Sequence, residues 1–254
     1  MNERLTKIVT ELVGAISKVL VDNQVTRQEY RTGVQYLGKT AAEGESMLIC
    51  DTFLEHLVIK GEDSRGQNSS QAVQGPYFIE EVPWVDGKLE VSPEDNGEPL
   101  LIKGSITAPD GAPVTDATVH VWHSTPDGAY TGFHRGMTPE RYRGRLKTDA
   151  SGKFEVLTTL PVPYSIPHKG PVGALLDMMG RHPWRPAHVH FKVRKDGFKE
   201  FTTQAYFEGG EWVDDDVAGG VVDDLIFPIP REGDQRILEV DFVLDPAKDT
   251  VAAE

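Results

Sequence analysis

The chain has 254 residues, of which 39% are apolar and 26% charged, and its formal net charge is −14. That length can bury a sizeable core, while the acidic balance argues against nucleic acid or an anionic membrane surface as a partner. A single cysteine, Cys50, rules out an internal disulfide and a cysteine-built zinc or iron–sulfur centre, and fits a reducing, cytoplasmic setting.

Charges interrupt the first apolar run, so "MNERLTKIVTELVGAISKVL" is expected to be neither a signal peptide nor a membrane insertion. Within it Leu5, Ile8, Leu12, Ile16 and Val19 recur at helical spacing, which predicts an amphipathic helix. Thr26 and Glu29 form a capping-box pattern that opens a second helix, with Tyr30, Val34, Leu37 and Ala41 on one face. "ESMLICDTFLEHLVI" predicts a third, spanning residues 45–59. Helices this short need a surface to pack on, either the rest of the chain or a second copy. "GEDSRGQNSSQAVQG" (61–75) is polar, rich in Gly and Ser and aperiodic, hence a loop.

Beyond it the texture changes. "LLIKGSITAPDGAP", "ATVHVWHSTPDG", "RLKTDASGKFEVLT", "PAHVHFKVRKDGFKEFTTQAYF" and "RILEVDFVL" read as short strands, and the D-G, S-G and P-D-G turns between them read as hairpins. The expected fold is mainly β with an α-helical N-terminal segment: a helical unit over 1–60, a loop over 61–75 and a β-sandwich over 76–254.

The strand "WRPAHVHFKV" carries the first chemical signal. His188 and His190, two apart, project to one face, with Arg185 just upstream. Two imidazoles on one strand can hold a metal ion. A cupin would need a glutamate four or five residues on, where Arg194 and Lys195 stand. No carboxylate nearby completes a facial Fe(II) triad. His120, His123 and His182 leave a three-histidine zinc site open on composition, although His123 and His182 are expected to be surface or hydrogen-bonding residues. Tyr130, in "STPDGAYTGFH", and Tyr164, in the proline-stiffened "LPVPYSIPHKGP", lie in loops unusual for packing residues.

Together "QGPYF", "VWHSTPDGAY", "YRGRLKTD", "PVPYSIPHKGP", "WRPAHVHFKVRKDGF" and "YFEGGEWVDDD" resemble the intradiol ring-cleavage dioxygenases, and within them the chlorocatechol 1,2-dioxygenase branch. The N-terminal helices resemble that family's dimerisation segment. The resemblance implies a non-haem Fe(III), one per subunit, held by Tyr130, Tyr164, His188 and His190, with Tyr164 and His190 axial. Two phenolates would balance much of the ferric charge, and a trivalent cation would lower their pKa far below the free value of about 10. It further implies a catechol or chlorocatechol and O2 as substrates. Tyr164 would dissociate and act as a base, and the ring would open to a cis,cis-muconate.

Arg185 is then expected to stabilise developing negative charge, and Gln204 to order the reacting groups. The pocket would be lined by Leu48, Asp51, Thr52, Val73, Gly75, Pro76, Tyr77, Val217 and Ala218. Tyr77 points towards chlorinated substrates, the alternatives being catechol or hydroxyquinol 1,2-dioxygenase. The resemblance also implies a homodimer through the N-terminal helices with phospholipid between them. Two departures from the family pattern stand out: Val217 and Ala218 where cysteines are usual, and His120 where Asp is usual. "WVDDDVAGGVVDD" lacks the ligand spacing of a calcium loop and is expected to be a solvated acidic loop. A metal-free transthyretin-like binding module is the competing reading, since the strand pattern alone suits it.

Overall fold

Apolar stripes at helical spacing give four helices at the start of the chain: α1 (Glu3–Asp22), α2 (Arg27–Ala42), α3 (Ser46–Phe53) and α4 (Glu55–Asp63). The computed structural model describes residues 2–134 and 136–247, so residues 248–254 of the expected β unit lie outside it. Asn2 caps α1 by accepting the Leu5 N–H at 3.1 Å. The capping box of α2 forms as expected: the Glu29 N–H donates to Thr26 Oγ1, and the Thr26 N–H donates to the Glu29 carboxylate. No residue of α1 is buried, and its apolar stripe faces outwards.

The single helix expected over 45–59 is broken at Leu54, where φ is −127° and ψ −34°. Neither Pro nor Gly marks the break. It follows from tertiary packing: Phe53 turns into an aromatic cluster while Leu54 stays exposed. α4 then runs on to Asp63, past the expected helix end.

The β part is a sandwich, as its alternating strands predict. A four-stranded sheet has the order β10 (Arg231–Glu232), β11 (Gln235–Val243), β1 (Pro99–Thr107), β4 (Lys153–Thr159). A five-stranded sheet has the order β3 (Arg143–Lys147), β2 (Thr118–His123), β7 (His188–Arg194), β8 (Phe201–Phe207), β9 (Ile226–Phe227). Between them lies the main core, with Ile102, Val156 and Val240 from one sheet meeting Val121, Phe191 and Ala205 from the other. Outside both sheets, β5 (Tyr164–Ser165) and β6 (Trp184–Arg185) pair as a two-residue ribbon, and α5 (Pro171–Met178) lies between them in sequence.

Only one of the expected hairpins is simple. The turn at Asp196–Gly197 joins β7 to β8 within one sheet. The turns at Asp110–Gly111 and Asp149–Gly152 instead precede strands of the opposite sheet. The second is locally well made: Asp149 Oδ1 accepts from the Ser151 and Lys153 N–H groups. Its flanking strands nevertheless part, because β3 pairs with β2 and β4 with β1. Local turn chemistry fixes the turn, not the partner of the strand that follows.

Candidate metal centre and substrate cavity

Strand parity places the site. In the five-stranded sheet, Val189, Phe191 and Val193 face the core, so His188, His190 and Lys192 face the other way. Register sets Trp122 and Gln204 on either side of His190, and Tyr206 beside His188. This outer face is covered by the N-terminal helices and the connecting segments, so β7 is buried on both sides.

The His188 Nδ1–H donates to Pro186 O at 2.8 Å, which leaves Nε2 as the free lone pair. That Nε2 lies 3.0 Å from His190 Nε2, and Tyr130 Oη lies 3.3 Å from the same His190 nitrogen. Tyr130 is delivered by the loop between β2 and β3, whose first turn closes through the Thr125 N–H to Ala129 O at 2.8 Å. Tyr164 is delivered by the ribbon, where it pairs directly with Arg185. Its ring meets that of Tyr130 edge-on, 5.0 Å between centroids. Arg185 Nη1 donates towards Tyr164 Oη at 3.5 Å.

These four donors fit a cation. Two donors each about 2.1 Å from an ion and at right angles stand about 3.0 Å apart, which is the spacing of the two Nε2 atoms. Burial pushes His188 down to about 3 and His190 well below its usual value, so both imidazoles stay neutral. Burial, then the neighbouring Tyr164, pushes the Tyr130 phenol up. Phenolate here therefore needs a positive charge among the donors. The competing zinc set does not assemble. His123 has the opposite parity to His190 and is consumed in the core side by Ser124 O and Thr158 Oγ1. His182 sits at the rim beside Asp215. Among the described residues, no group of three or more His, Cys, Asp or Glu side chains comes together in ligand geometry.

Arg185 is not at the surface. It is buried, with Nε and Nη2 on the two oxygens of Asp216 at 3.0 and 2.9 Å, and Nη2 also donates to Gln204 Oε1 and Tyr206 Oη. Burial would raise the Asp216 carboxyl, but the guanidinium overrides this and holds it low. The acidic stretch is therefore only partly solvated: Asp214 and Asp215 are exposed, and Asp216 is a buried counter-ion. Its neighbours close the loop, with the Ala218 and Gly220 N–H groups donating to the same carboxylate. Gly220 suits this close approach, because a Cβ would lie 2.8 Å from Arg185 Nη2 and push the guanidinium aside.

Beside the donors is a narrow cavity. Leu48, Asp51 and Thr52 line it from α3, and Val73, Gly75, Pro76 and Tyr77 from the segment before the sandwich. Tyr164, Arg185 and Ala218 complete it, together with Glu55, Ile166 and Pro167, which the motifs did not single out. Val217 is buried against the aromatic cluster of Tyr77 and Tyr130 rather than on the cavity wall. Gly75 takes φ +67°, the left-handed region, as the chain turns past His190. Tyr77 stacks on Tyr130, 4.2 Å between centroids. Gln204 donates its amide to Val73 O and accepts from Arg185, so it ties cavity wall to guanidinium.

Sequence reasoning missed three further residues. Trp122 stacks flat on His190, 4.5 Å away with 8° between planes. Arg143 is buried with no carboxylate partner among the described residues. It donates to Tyr77 O, Thr131 O and Thr131 Oγ1, fixing the segments that carry Tyr77 and Tyr130, and burial lowers its pKa to about 10. Asp216 is the third. All three stand inside the quoted motifs, but only strand parity for Trp122 could have located one in advance. His120, buried against Phe78, has no functional reading.

The family models for "Dioxygenase" and "Catechol dioxygenase N terminus" match residues 73–246 and 2–70. The chain is 48% identical to chlorocatechol 1,2-dioxygenase of Pseudomonas sp. (strain P51), over 99% of this chain and 100% of that one. It is 48% identical to chlorocatechol 1,2-dioxygenase of Pseudomonas putida, over 96% of this chain and 94% of the relative. The crystal structure of chlorocatechol 1,2-dioxygenase from Pseudomonas putida superposes with a TM-score of 0.93, covering 96% of this chain and 100% of that one at 48% identity.

Proposed function

The chain belongs to the intradiol dioxygenase family, and from that premise we propose that it opens catechol rings with O2 at a ferric centre, favouring chlorinated catechols and yielding cis,cis-muconates. The observation that carries this reading is the convergence of the Tyr130 oxygen and two imidazole nitrogens, with the Tyr164 ring packed edge-on against Tyr130, beside a narrow cavity. Tyr130, Tyr164, His188 and His190 would hold one Fe(III) per subunit. The ion would supply Lewis acidity and draw electron density from a bound catecholate.

The protein's own part follows from its hydrogen bonds. Tyr164 Oη is the base for one catechol proton, and Arg185, 3.5 Å away, stabilises the anion left in the cavity. Asp216 keeps the guanidinium in place, and Gln204 fixes it against the wall at Val73. Tyr77 narrows the cavity and selects ring substituents by shape, an effect of about 1–3 kcal/mol at most. The resemblance to chlorocatechol enzymes favours chlorinated rings.

The exposed stripe of α1 supports a homodimer through the N-terminal helices, with phospholipid against the same apolar face. The helical unit over 1–60 would then serve assembly and the unit over 76–254 catalysis, joined by 61–75. No helix among the described residues is long and apolar enough to cross a membrane, and a cytoplasmic setting is part of the proposal.

The test is a visible spectrum of the purified protein before and after anaerobic addition of 3-chlorocatechol, followed by oxygen and product analysis. A tyrosinate-to-Fe(III) band that changes with the catechol, one O2 consumed per ring, and a chloromuconate product are expected. A colourless protein from iron-replete cells, inert to catechols, would overturn the reading.

A further inference from the structure

The charges around the cavity do not balance. Its charged lining residues are Asp51, Glu55 and Arg185. Arg185 is already engaged twice by Asp216, whose side chain is 1% exposed. Two carboxylates are therefore left on the wall without a lining cation of their own. They stand one helical turn apart across the break at Leu54, Asp51 at the end of α3 and Glu55 in the first turn of α4. The Gln74 backbone and, at longer range, Arg185 favour the charged form of Glu55, as does the α4 N-terminus. Burial raises both carboxyls, and Glu55 also feels Asp51, as two like charges facing one small space must.

We infer that Asp51 and Glu55 form a charge filter for the reaction proposed above: they disfavour catechols with an anionic ring substituent and speed departure of the ring-opened product. Catechol and chlorocatechol carry no charge on their substituents. Ring opening turns the diol and one O2 into a dicarboxylic acid with the same hydrogens, and its two acid protons pass to water at neutral pH. The product leaves as a dianion from a wall that repels it. The same wall repels a carboxylated catechol on entry. A unit charge about 8 Å away at an effective dielectric of about 40 changes affinity about fivefold.

The iron-loaded enzyme and its Asp51→Asn and Glu55→Gln variants are compared for kcat/KM on catechol and on 3,4-dihydroxybenzoate, and for inhibition by cis,cis-muconate. The ratio of anionic to neutral substrate should rise about fivefold in each variant, and the inhibition constant of the doubly charged muconate should fall by at least that factor and by up to about 25-fold. In the wild type, about 0.5 M salt should strengthen muconate inhibition, because screening shortens the reach of both carboxylates. This salt series tests the filter even where a variant fails to fold. Ratios and inhibition constants within about twofold of wild type, or muconate inhibition indifferent to salt, would overturn the filter. A wild type that consumes O2 with catechol while the variants leave the ratio unchanged sinks the filter alone. A fully iron-loaded wild type inert to catechol sinks the underlying function instead.

Discussion

The five-stranded sheet has two faces of opposite character, and both are buried. Its inner face, with Val119, Val121, Val189 and Phe191, meets the other sheet as any sandwich does. Its outer face carries Trp122, His188, His190, Gln204, Tyr206 and Arg143, and is covered by α3, the start of α4 and irregular connecting segments. An apolar face needs only shape and volume from its cover. A polar buried face needs every donor and acceptor met, so its cover is specified residue by residue. The fold is made on one face and the chemistry on the other, and mutations should separate them.

The largest expected effect is on the outer face. Tyr130→Phe removes one of four donors, and iron content together with O2 uptake should fall, turnover by about a thousandfold, while the thermal transition stays near that of metal-free wild type. Next is Phe191→Ala on the inner face, which should cost about 3–5 kcal/mol in urea unfolding and leave turnover per folded molecule near wild type. If Phe191→Ala abolished iron binding in the folded fraction, the two faces would not be separable.

Asp216→Asn should blur the division. It leaves the Arg185 cation buried with a weaker partner and should cost up to about 3–5 kcal/mol, with kcat falling as well because the guanidinium loses its fixed position. His123, on the inner face, gives the pH test. Burial holds its folded pKa at about 4 against 6.5 unfolded. The unfolded chain therefore binds the proton first as pH falls. Stability should drop between about pH 6.5 and pH 4, by up to about 3 kcal/mol from this residue, and His123→Gln should flatten that slope. Smallest is Gly220→Ala, whose methyl would press on Arg185 Nη2. It should lower kcat severalfold with about 1–2 kcal/mol of destabilisation.

The two faces were not equally legible. Alternation in "ATVHVWH" and "HVHFKV" reveals the inner face directly, because burial there depends only on parity. The outer face defeats the same rule, since the polar residues that alternate with this apolar set read as solvent-facing, whereas in β7 they are buried as well. The four donors were read through motif resemblance, and the structure brings them together. Asp216 was hidden because its neighbours Asp214 and Asp215 are solvated, and composition cannot say which of three aspartates turns inwards. The crossovers after Gly111 and Gly152 were read as hairpins because turn residues report the turn alone. The break at Leu54 has no local signal, and Glu55 beyond it still lines the cavity beside Asp51.

The ribbon of β5 and β6 has one more consequence. Tyr130 is locked by a stacked ring and by the segments Arg143 ties down, and the two histidines are part of a central strand. Tyr164 hangs on two residue pairs bonded to neither sheet. Opening that ribbon breaks no ladder of either sheet, although it lifts Tyr164 and Ile166 out of their buried cluster and breaks the Ile166 N–H bond to Pro183 O, so it should be a cheaper excursion than one that opens β7. Amide exchange at Ser165 and Ile166 should outpace that at Val189 and Phe191 by orders of magnitude. Three of the side chains thus form a fixed socket and the fourth swings on a short arm, so under the function proposed above the one freest to move is the one whose oxygen would collect a proton.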